Sequence, residues 1–113
     1  MRSGGRKSLL GMSWAGDQTV DWTASDGIKS SIVAALSLAV SGSGVGLTHS
    51  DIGGYTSFPE LGVVRSKELL LRWAEYSVFT PVMRTHETNH PDENHQVCNQ
   101  QSSCHEYIAT YVM

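Results

Sequence analysis

Short apolar segments alternate along this chain with segments of helical periodicity, and this alternation constrains the fold more than any other feature. Apolar runs at Leu9–Trp14, Val45–Thr48 and Pro81–Arg84 each predict a buried strand. Between them, apolar residues recur at intervals of three and four, which predicts helices over about 28–40 and 65–79. This order is typical of βα units that build a parallel sheet.

The two predicted helices each carry one apolar stripe. The first stripe consists of Ile28, Ile32, Leu36 and Val40. The second consists of Leu69, Leu70, Trp73 and Val78, which are predicted to be the buried residues of that helix. Ser25 or Asp26 is expected to cap the first helix, because its side-chain oxygen can accept from free amides of the first turn. Three strands cannot cover both faces of a parallel sheet, so we expect an open architecture with exposed apolar groups. Those expected to be more exposed than in a complete enzyme are Ile32, Leu36, Leu69 and Trp73.

Composition excludes several classes of partner. The 113 residues suffice for one domain, and their 8 basic and 11 acidic side chains give a net charge of −3. We therefore expect no nucleic-acid partner, since that requires a basic surface. The longest apolar run, at 32–40, falls short of the roughly 20 residues that a membrane span needs. A basic start followed by Leu9 and Leu10 resembles a signal peptide, but glycines and serines interrupt it.

The candidate reactive residues follow the predicted strands. In a βα barrel, catalytic side chains stand at the carboxyl ends of the strands. That rule selects Asp17, Asp51, Arg84 and His86. A carboxylate such as Asp17 could act as a general acid, although strand-end carboxylates often only cap or turn the chain. Asp51 could bond to its own backbone in a turn, and two following glycines could allow close approach of a ligand.

Other classes of site remain weaker alternatives. The residues of a conceivable metal cluster are His86, His90, His95, Cys98, Cys104 and His105. Their spacing matches no zinc motif, so we expect neither a metal nor a cofactor. Cys98 and Cys104 could form a disulfide, bind a metal or stay free. Glycines at 42–46 precede a strand rather than a helix, the wrong order for a dinucleotide site. A non-catalytic binding module remains an alternative.

Six short motifs together resemble glycoside hydrolase family 31, in its order and at similar separations. They are Arg2-Ser3-Gly4, Trp14-Ala15-Gly16-Asp17, Ser50-Asp51-Ile52-Gly53-Gly54-Tyr55, Glu68-Leu69, Arg72-Trp73 and Phe79-Thr80-Pro81-Val82-Met83-Arg84-Thr85-His86. The resemblance runs from Arg2 to about Gln96. It implies an α/β fold, a partial (β/α)8 TIM barrel comprising approximately the sixth to eighth βα units. Residues 1–113 would then be the C-terminal part of a catalytic barrel whose nucleophile-bearing half is missing, and Arg2 would belong to the barrel rather than to a signal peptide.

The same resemblance implies a role for each site residue. Asp17 would be the catalytic acid/base of a retaining α-glycosidase. Arg2 and His86 would bind hydroxyls of the sugar, while Trp14 and Tyr55 would line the same subsite. A retaining enzyme also needs a carboxylate nucleophile, which the family carries on the fourth strand. We therefore expect this segment alone to be inactive.

Two departures from the commoner family pattern indicate a subgroup. Gln18 follows the acid/base where many α-glucosidases have Asn, and Tyr55 stands where they have Phe; the segment Met83-Arg84-Thr85-His86-Glu87 accompanies them. This combination is most similar to the sulfoquinovosidases, which cleave α-glycosides of a sulfonated glucose. In them the tyrosine helps to recognise the sulfonate, together with upstream Arg and Trp residues that this chain lacks. The expected partner is thus a carbohydrate, an α-sulfoquinovoside, and the alternatives are α-glucosidase or α-xylosidase activity.

Overall fold

The computed structural model describes residues 12–40 and 47–97. The strands are β1 Ser13–Trp14, β2 Thr48–His49, β3 Asp51–Ile52 and β4 Arg84–Thr85, and the helices are α1 Ile28–Val40 and α2 Lys67–Ser77. A short 3-10 turn occupies Pro59–Leu61. This order follows the alternation predicted from the sequence. Neither helix in the described ranges is long and apolar enough to cross a membrane.

The strands pair in parallel, as predicted. β1 pairs with β2, with Trp14 opposite His49, and β3 pairs with β4, with Asp51 opposite Arg84. Only Ser50 separates β2 from β3, so the segment 48–52 contacts β1 through its first half and β4 through its second. The predicted end of this strand at Thr48 was therefore too early. The segment 48–52 therefore lies beside both β1 and β4. The loops that follow β1, β3 and β4 are consequently neighbours.

The apolar core lies between α2 and this strand segment. It consists of Val20, Ile28, Ile52, Leu69, Leu70 and Trp73. Leu69 and Trp73 are 1% and 0% exposed, in agreement with their predicted place on the buried stripe of the second helix. The indole Nε1 of Trp73 donates a 2.8 Å hydrogen bond to Ser50 Oγ. This bond satisfies the buried indole and fixes α2 against the strand segment.

Helix α2 begins with a side-chain cap. Ser66 Oγ accepts a 3.1 Å hydrogen bond from the amide of Leu69, which satisfies one of the free N–H groups of the first turn. The buried face continues from Trp73 to Ser77, four residues later. Val78, predicted to be buried, lies one position beyond that face and is exposed.

Helix α1 has the predicted bounds, and of its predicted apolar stripe only the first residue is fully buried. Ile28 is buried, whereas Leu36 is 61% exposed, as expected for a helix with an uncovered outer turn. The predicted cap is not formed among the described residues. Ser25 Oγ donates to Thr23 and Asp26 accepts from Thr19, while the amide of Ile28 bonds to a backbone carbonyl. The helix entry is thus held by the preceding turn rather than by a capping side chain.

Candidate functional site

The predicted site residues lie at one edge of the parallel strands. Trp14 is on β1, Asp17 follows it, Tyr55 follows β3 and His86 follows β4. Carboxyl ends of parallel strands share an edge, so these loops are neighbours. The structure therefore brings together the four predicted residues that it describes. Arg2 lies outside the described residues.

Backbone hydrogen bonds join the Asp17 loop to the Tyr55 loop. The carbonyl of Gln18 accepts from the amides of Tyr55 and Thr56 at 2.9 and 3.0 Å. Thr56 Oγ1 donates to the carbonyl of Asp17 at 2.9 Å, and the amide of Val20 donates to the carbonyl of Thr56 at 2.9 Å. The backbone of Asp17 is consequently fixed relative to Tyr55.

Gly54 makes this close approach possible. Its φ is +77°, and a Cβ at this position would lie 3.0 Å from the carbonyl oxygens of both Gln18 and Thr19. A larger residue would be strained and would push the two loops apart. The sequence predicted that the glycines at this turn allow close approach of a ligand, but Gly54 serves the contact between loops.

The Asp17 side chain projects from this rigid junction. It is exposed, and no hydrogen bond or ion pair of its carboxylate involves another described residue. The next residue is anchored differently, since Gln18 is buried and its Nε2 donates to the carbonyl of Ala15 at 2.8 Å. Asp17 thus combines a fixed backbone with a carboxylate accessible to a solute.

Tyr55 and His86 form an aromatic pair. Their ring centroids are 4.7 Å apart and their planes meet at 87°, an edge-to-face contact. The Nδ1 atom of His86 is buried and has no hydrogen-bond partner within the described part of the chain. The contact limits the freedom of both rings, which suits side chains that must present a fixed surface to a ligand.

Asp51 forms a buried ion pair with Arg84. Arg84 Nε donates to Asp51 Oδ1 at 2.6 Å, and the guanidinium carbon lies 5.9 Å from the ring centroid of Trp14. At this distance the cation is attracted to the ring face. The interpretation of Asp51 as a side chain bonded to its own backbone is therefore wrong; the turn amide of Gly54 bonds to the Asp51 carbonyl instead.

His49 is buried beside this ion pair. Burial is the largest influence on its imidazole and lowers its pKa below the ordinary 6.5. The charge of Asp51 and a backbone hydrogen bond at Ser50 oppose this shift, whereas Arg84 adds to it. The folded protein therefore favours neutral His49.

The lowered pKa of His49 predicts loss of stability in acid. The unfolded chain binds the proton more readily, so the stabilisation is complete above pH 6.5 and declines as the pH falls through the lower folded pKa. We expect a His49→Gln variant of the complete protein to lose less thermal stability than wild type between pH 7 and pH 5. Thermal unfolding across this range measures the difference, and parallel curves would contradict it.

Arg65 is a buried site residue that the sequence did not indicate. Its guanidinium donates to the carbonyls of His95, His86, Gly54 and Ile52 at 2.9, 2.8, 3.3 and 3.4 Å, and to Gln96 Oε1 at 2.7 Å. The sequence around 62–65 follows the family resemblance only loosely, and a lone arginine before a capping serine is usually solvated. Its burial depends on partners 11 to 31 residues away, which no local pattern reveals.

Two asparagines fold the segment 88–97 against the site. Asn89 Oδ1 accepts from the amide and the hydroxyl of Ser57 at 2.8 and 2.9 Å. Asn94 Nδ2 donates to Ser57 Oγ at 2.9 Å, while its Oδ1 accepts from the amide of Arg65. The polar side chains of this segment thus serve as structural ties.

No metal centre is apparent in the part of the chain that the structure describes. There, no three His, Cys, Asp or Glu side chains lie where they could share a metal ion. Cys98, Cys104 and His105 of the conceivable cluster lie outside the described residues. The expected absence of a bound metal stays a prediction.

Comparison with known proteins identifies the relatives of this chain. Residues 4–113 match the sequence profile of the glycosyl hydrolases family 31 TIM-barrel domain. The chain is 57% identical over 98 residues to a sulfoquinovosidase of Escherichia coli and 48% identical over 99 residues to one of Agrobacterium fabrum. These alignments cover 85% and 86% of the chain but 14% of each relative.

A solved structure agrees with the sequence relatives. It is a family 31 sulfoquinovosidase from E. rectale in complex with the aza-sugar inhibitor IFGSQ. The superposition gives a TM-score of 0.68 at 59% identity and covers 75% of this chain and 12% of that one. The chain therefore spans about a seventh of the length of the curated relatives it matches.

Proposed function

This chain belongs to glycosyl hydrolase family 31, and from that premise we propose that the protein containing it is a retaining α-glycosidase acting on α-sulfoquinovosides. The observation that carries the proposal is the convergence of Asp17, Tyr55 and His86 in loops that follow the parallel strands and contact one another. Identity of 57% and 48% to two sulfoquinovosidases supports the substrate class. We further propose that residues 1–113 are approximately the sixth to eighth βα units of the (β/α)8 barrel.

Asp17 is the proposed acid/base. In the first step its carboxyl donates a proton to the glycosidic oxygen as a second carboxylate attacks the sugar carbon, which releases the alcohol and leaves a glycosyl-enzyme ester. In the second step the Asp17 carboxylate takes a proton from water, whose oxygen displaces the ester and restores both groups. The second carboxylate belongs to the nucleophile-bearing part of the barrel. The exposed side chain and fixed backbone of Asp17 suit both proton transfers.

The proposed sugar subsite is built around the aromatic pair. His86 binds a hydroxyl of the sugar, and Trp14 and Tyr55 line the same space; Arg2 is assigned to it from the family motif alone. Arg84 lies beside Trp14, but its charge is paired with Asp51. This pairing makes Arg84 a poor candidate for binding an anionic sulfonate, and the Tyr55 hydroxyl is the proposed donor to that group.

The substrate proposal predicts a selective effect of Tyr55→Phe. A hydrogen bond to a charged group contributes about 1.5–3 kcal/mol, so its loss should lower kcat/KM for a sulfoquinovoside by roughly 10–100-fold. The matching α-glucoside has no sulfonate, and any activity on it should hardly change. The ratio of the two kcat/KM values in the complete enzyme measures this effect.

Tyr76→Phe provides the matched control for this substitution. The Tyr76 hydroxyl joins α2 to α1 by donating to the carbonyl of Ser31 at 3.3 Å, so its removal should leave the ratio unchanged. An unchanged ratio in Tyr55→Phe would refute the sulfonate contact. A wild-type enzyme that prefers the glucoside or the xyloside would support the alternative specificities. A complete protein that binds sugars but cleaves none of these glycosides would instead support a non-catalytic binding module.

A further inference from the structure

Arg65 ties together three segments of the site. Its guanidinium bonds to the carbonyl of Gly54, directly before Tyr55, and to the carbonyl of His86 itself. It also holds the 95–96 segment through the His95 carbonyl and the Gln96 side chain. One cation thus bonds to the backbone of both segments that carry the aromatic pair.

This cation is held almost entirely by neutral acceptors. Arg65 is 2% exposed, and its hydrogen-bond acceptors in the described residues are backbone carbonyls and one side-chain amide. Burial lowers its pKa to about 10, and the negative charge of Asp51 opposes that shift. The guanidinium consequently remains protonated at neutral pH and keeps all its donors. Such a group requires all its acceptors, since an unpaired buried donor is costly.

The turn before Tyr55 packs directly onto this arginine. Gly53 has a φ of +87°, and a Cβ there would collide with Arg65 Cδ and lie 2.9 Å from Leu70 Cδ1. The aliphatic part of Arg65 therefore packs against the turn, while its guanidinium donates hydrogen bonds to carbonyls of the same turn. Packing and hydrogen bonding act on the same four-residue turn.

We infer that Arg65 is a positioning residue that sets the separation and orientation of the Tyr55–His86 pair. This inference rests on the proposed function, in which that pair contacts the sugar. Arg65 acts through the backbone of Gly54 and His86. A purely structural arginine would affect only the stability of the domain, whereas a positioning arginine also affects how the sugar is held and which sugar is preferred.

Arg65→Lys in the complete protein tests the inference. Lysine keeps the cation, but its single ammonium offers three donors and cannot reproduce the planar fork that reaches all the acceptors. We expect the folded variant to show a KM about tenfold higher and a reduced preference for the sulfoquinovoside over the glucoside. Arg72→Lys is the matched control, because Arg72 is an exposed arginine of α2 paired with Glu75. It should leave KM, preference and thermal midpoint unchanged.

A crystal structure of the Arg65→Lys protein gives a readout that does not require activity. We expect the centroid separation of Tyr55 and His86 to depart from 4.7 Å and their interplanar angle to depart from 87°. If wild type cleaves no glycoside, the proposed function fails, yet a displaced ring pair would still establish the positioning role. An unchanged ring pair would overturn it, as would a lower thermal midpoint with unchanged KM and preference.

A milder variant covers the case in which Arg65→Lys does not fold. Gln96→Leu removes the acceptor of Arg65 Nη2, together with the bonds from Gln96 Nε2 to the carbonyls of Glu87 and Pro91, and leaves the arginine in place. We expect the same direction of change in KM and in sugar preference, at about twofold to fivefold, because the freed guanidinium shifts toward its remaining acceptors. Unchanged KM and preference in Gln96→Leu would overturn the inference in that case.

Discussion

Asp17→Asn in the complete enzyme is expected to slow hydrolysis of glycosides with poor leaving groups by about 10²–10⁴-fold, the usual contribution of a general acid. An alkyl glycoside depends on proton donation, because its alkoxide is a poor leaving group. The aryloxide of an activated aryl glycoside leaves without needing a proton. The first step, formation of the glycosyl-enzyme ester, should therefore be almost unaffected for that substrate. Steady-state kcat/KM for matched alkyl and aryl glycosides measures the difference between the two substrates.

A neighbouring aspartate supplies the control for Asp17. Asp26 is also exposed, and its carboxylate accepts a hydrogen bond from Thr19 Oγ1 at 3.2 Å outside the proposed subsite. Asp26→Asn should change kcat/KM for neither glycoside. Equal losses on both substrates in Asp17→Asn would show that Asp17 has a structural role, and the acid/base assignment would then be wrong.

The order of the elements could be predicted because it is encoded locally. Ile28, Ile32 and Leu36 recur at helical spacing, and the bounds predicted from them match α1. The rule that catalytic residues follow the carboxyl ends of strands then identified the loops of Asp17 and His86, although the pairing of the strands was not known. The exposure of Leu36 was also predictable, because three strands and two helices offer few elements that could cover this side of the helix.

The contacts that hold the site could not be predicted because their partners are distant in sequence. Asp51 and Arg84 are 33 residues apart, and Arg65 and Asn94 are 29 apart. Local rules assign each of these residues to a turn or to solvent, and only the packing of β3, β4 and α2 brings them together. The burial of Trp73 could be predicted from its helical spacing, but its hydrogen bond to Ser50, 23 residues away, could not.

The Asp51–Arg84 ion pair is the second feature for which we expect a large effect. Asp51 is 1% exposed, and its Oδ2 is buried without a hydrogen-bond partner among the described residues. Its negative charge also acts on Arg65, whose pKa it raises against the effect of burial. Removing this negative charge therefore weakens the electrostatic stabilisation of two guanidinium groups, that of Arg84 and that of the buried Arg65.

Asp51→Asn is expected to destabilise the barrel domain of the complete protein by about 3 kcal/mol. Breaking a buried ion pair costs about 3–5 kcal/mol, and the 34% exposure of Arg84 places this pair at the lower end. The thermal midpoint should fall by on the order of 5–10 °C. Glu75→Gln breaks the exposed Arg72–Glu75 pair and should leave the thermal midpoint almost unchanged, because water replaces the lost contact. Equal midpoints for the two variants would show that Asp51 is not a buried counter-charge.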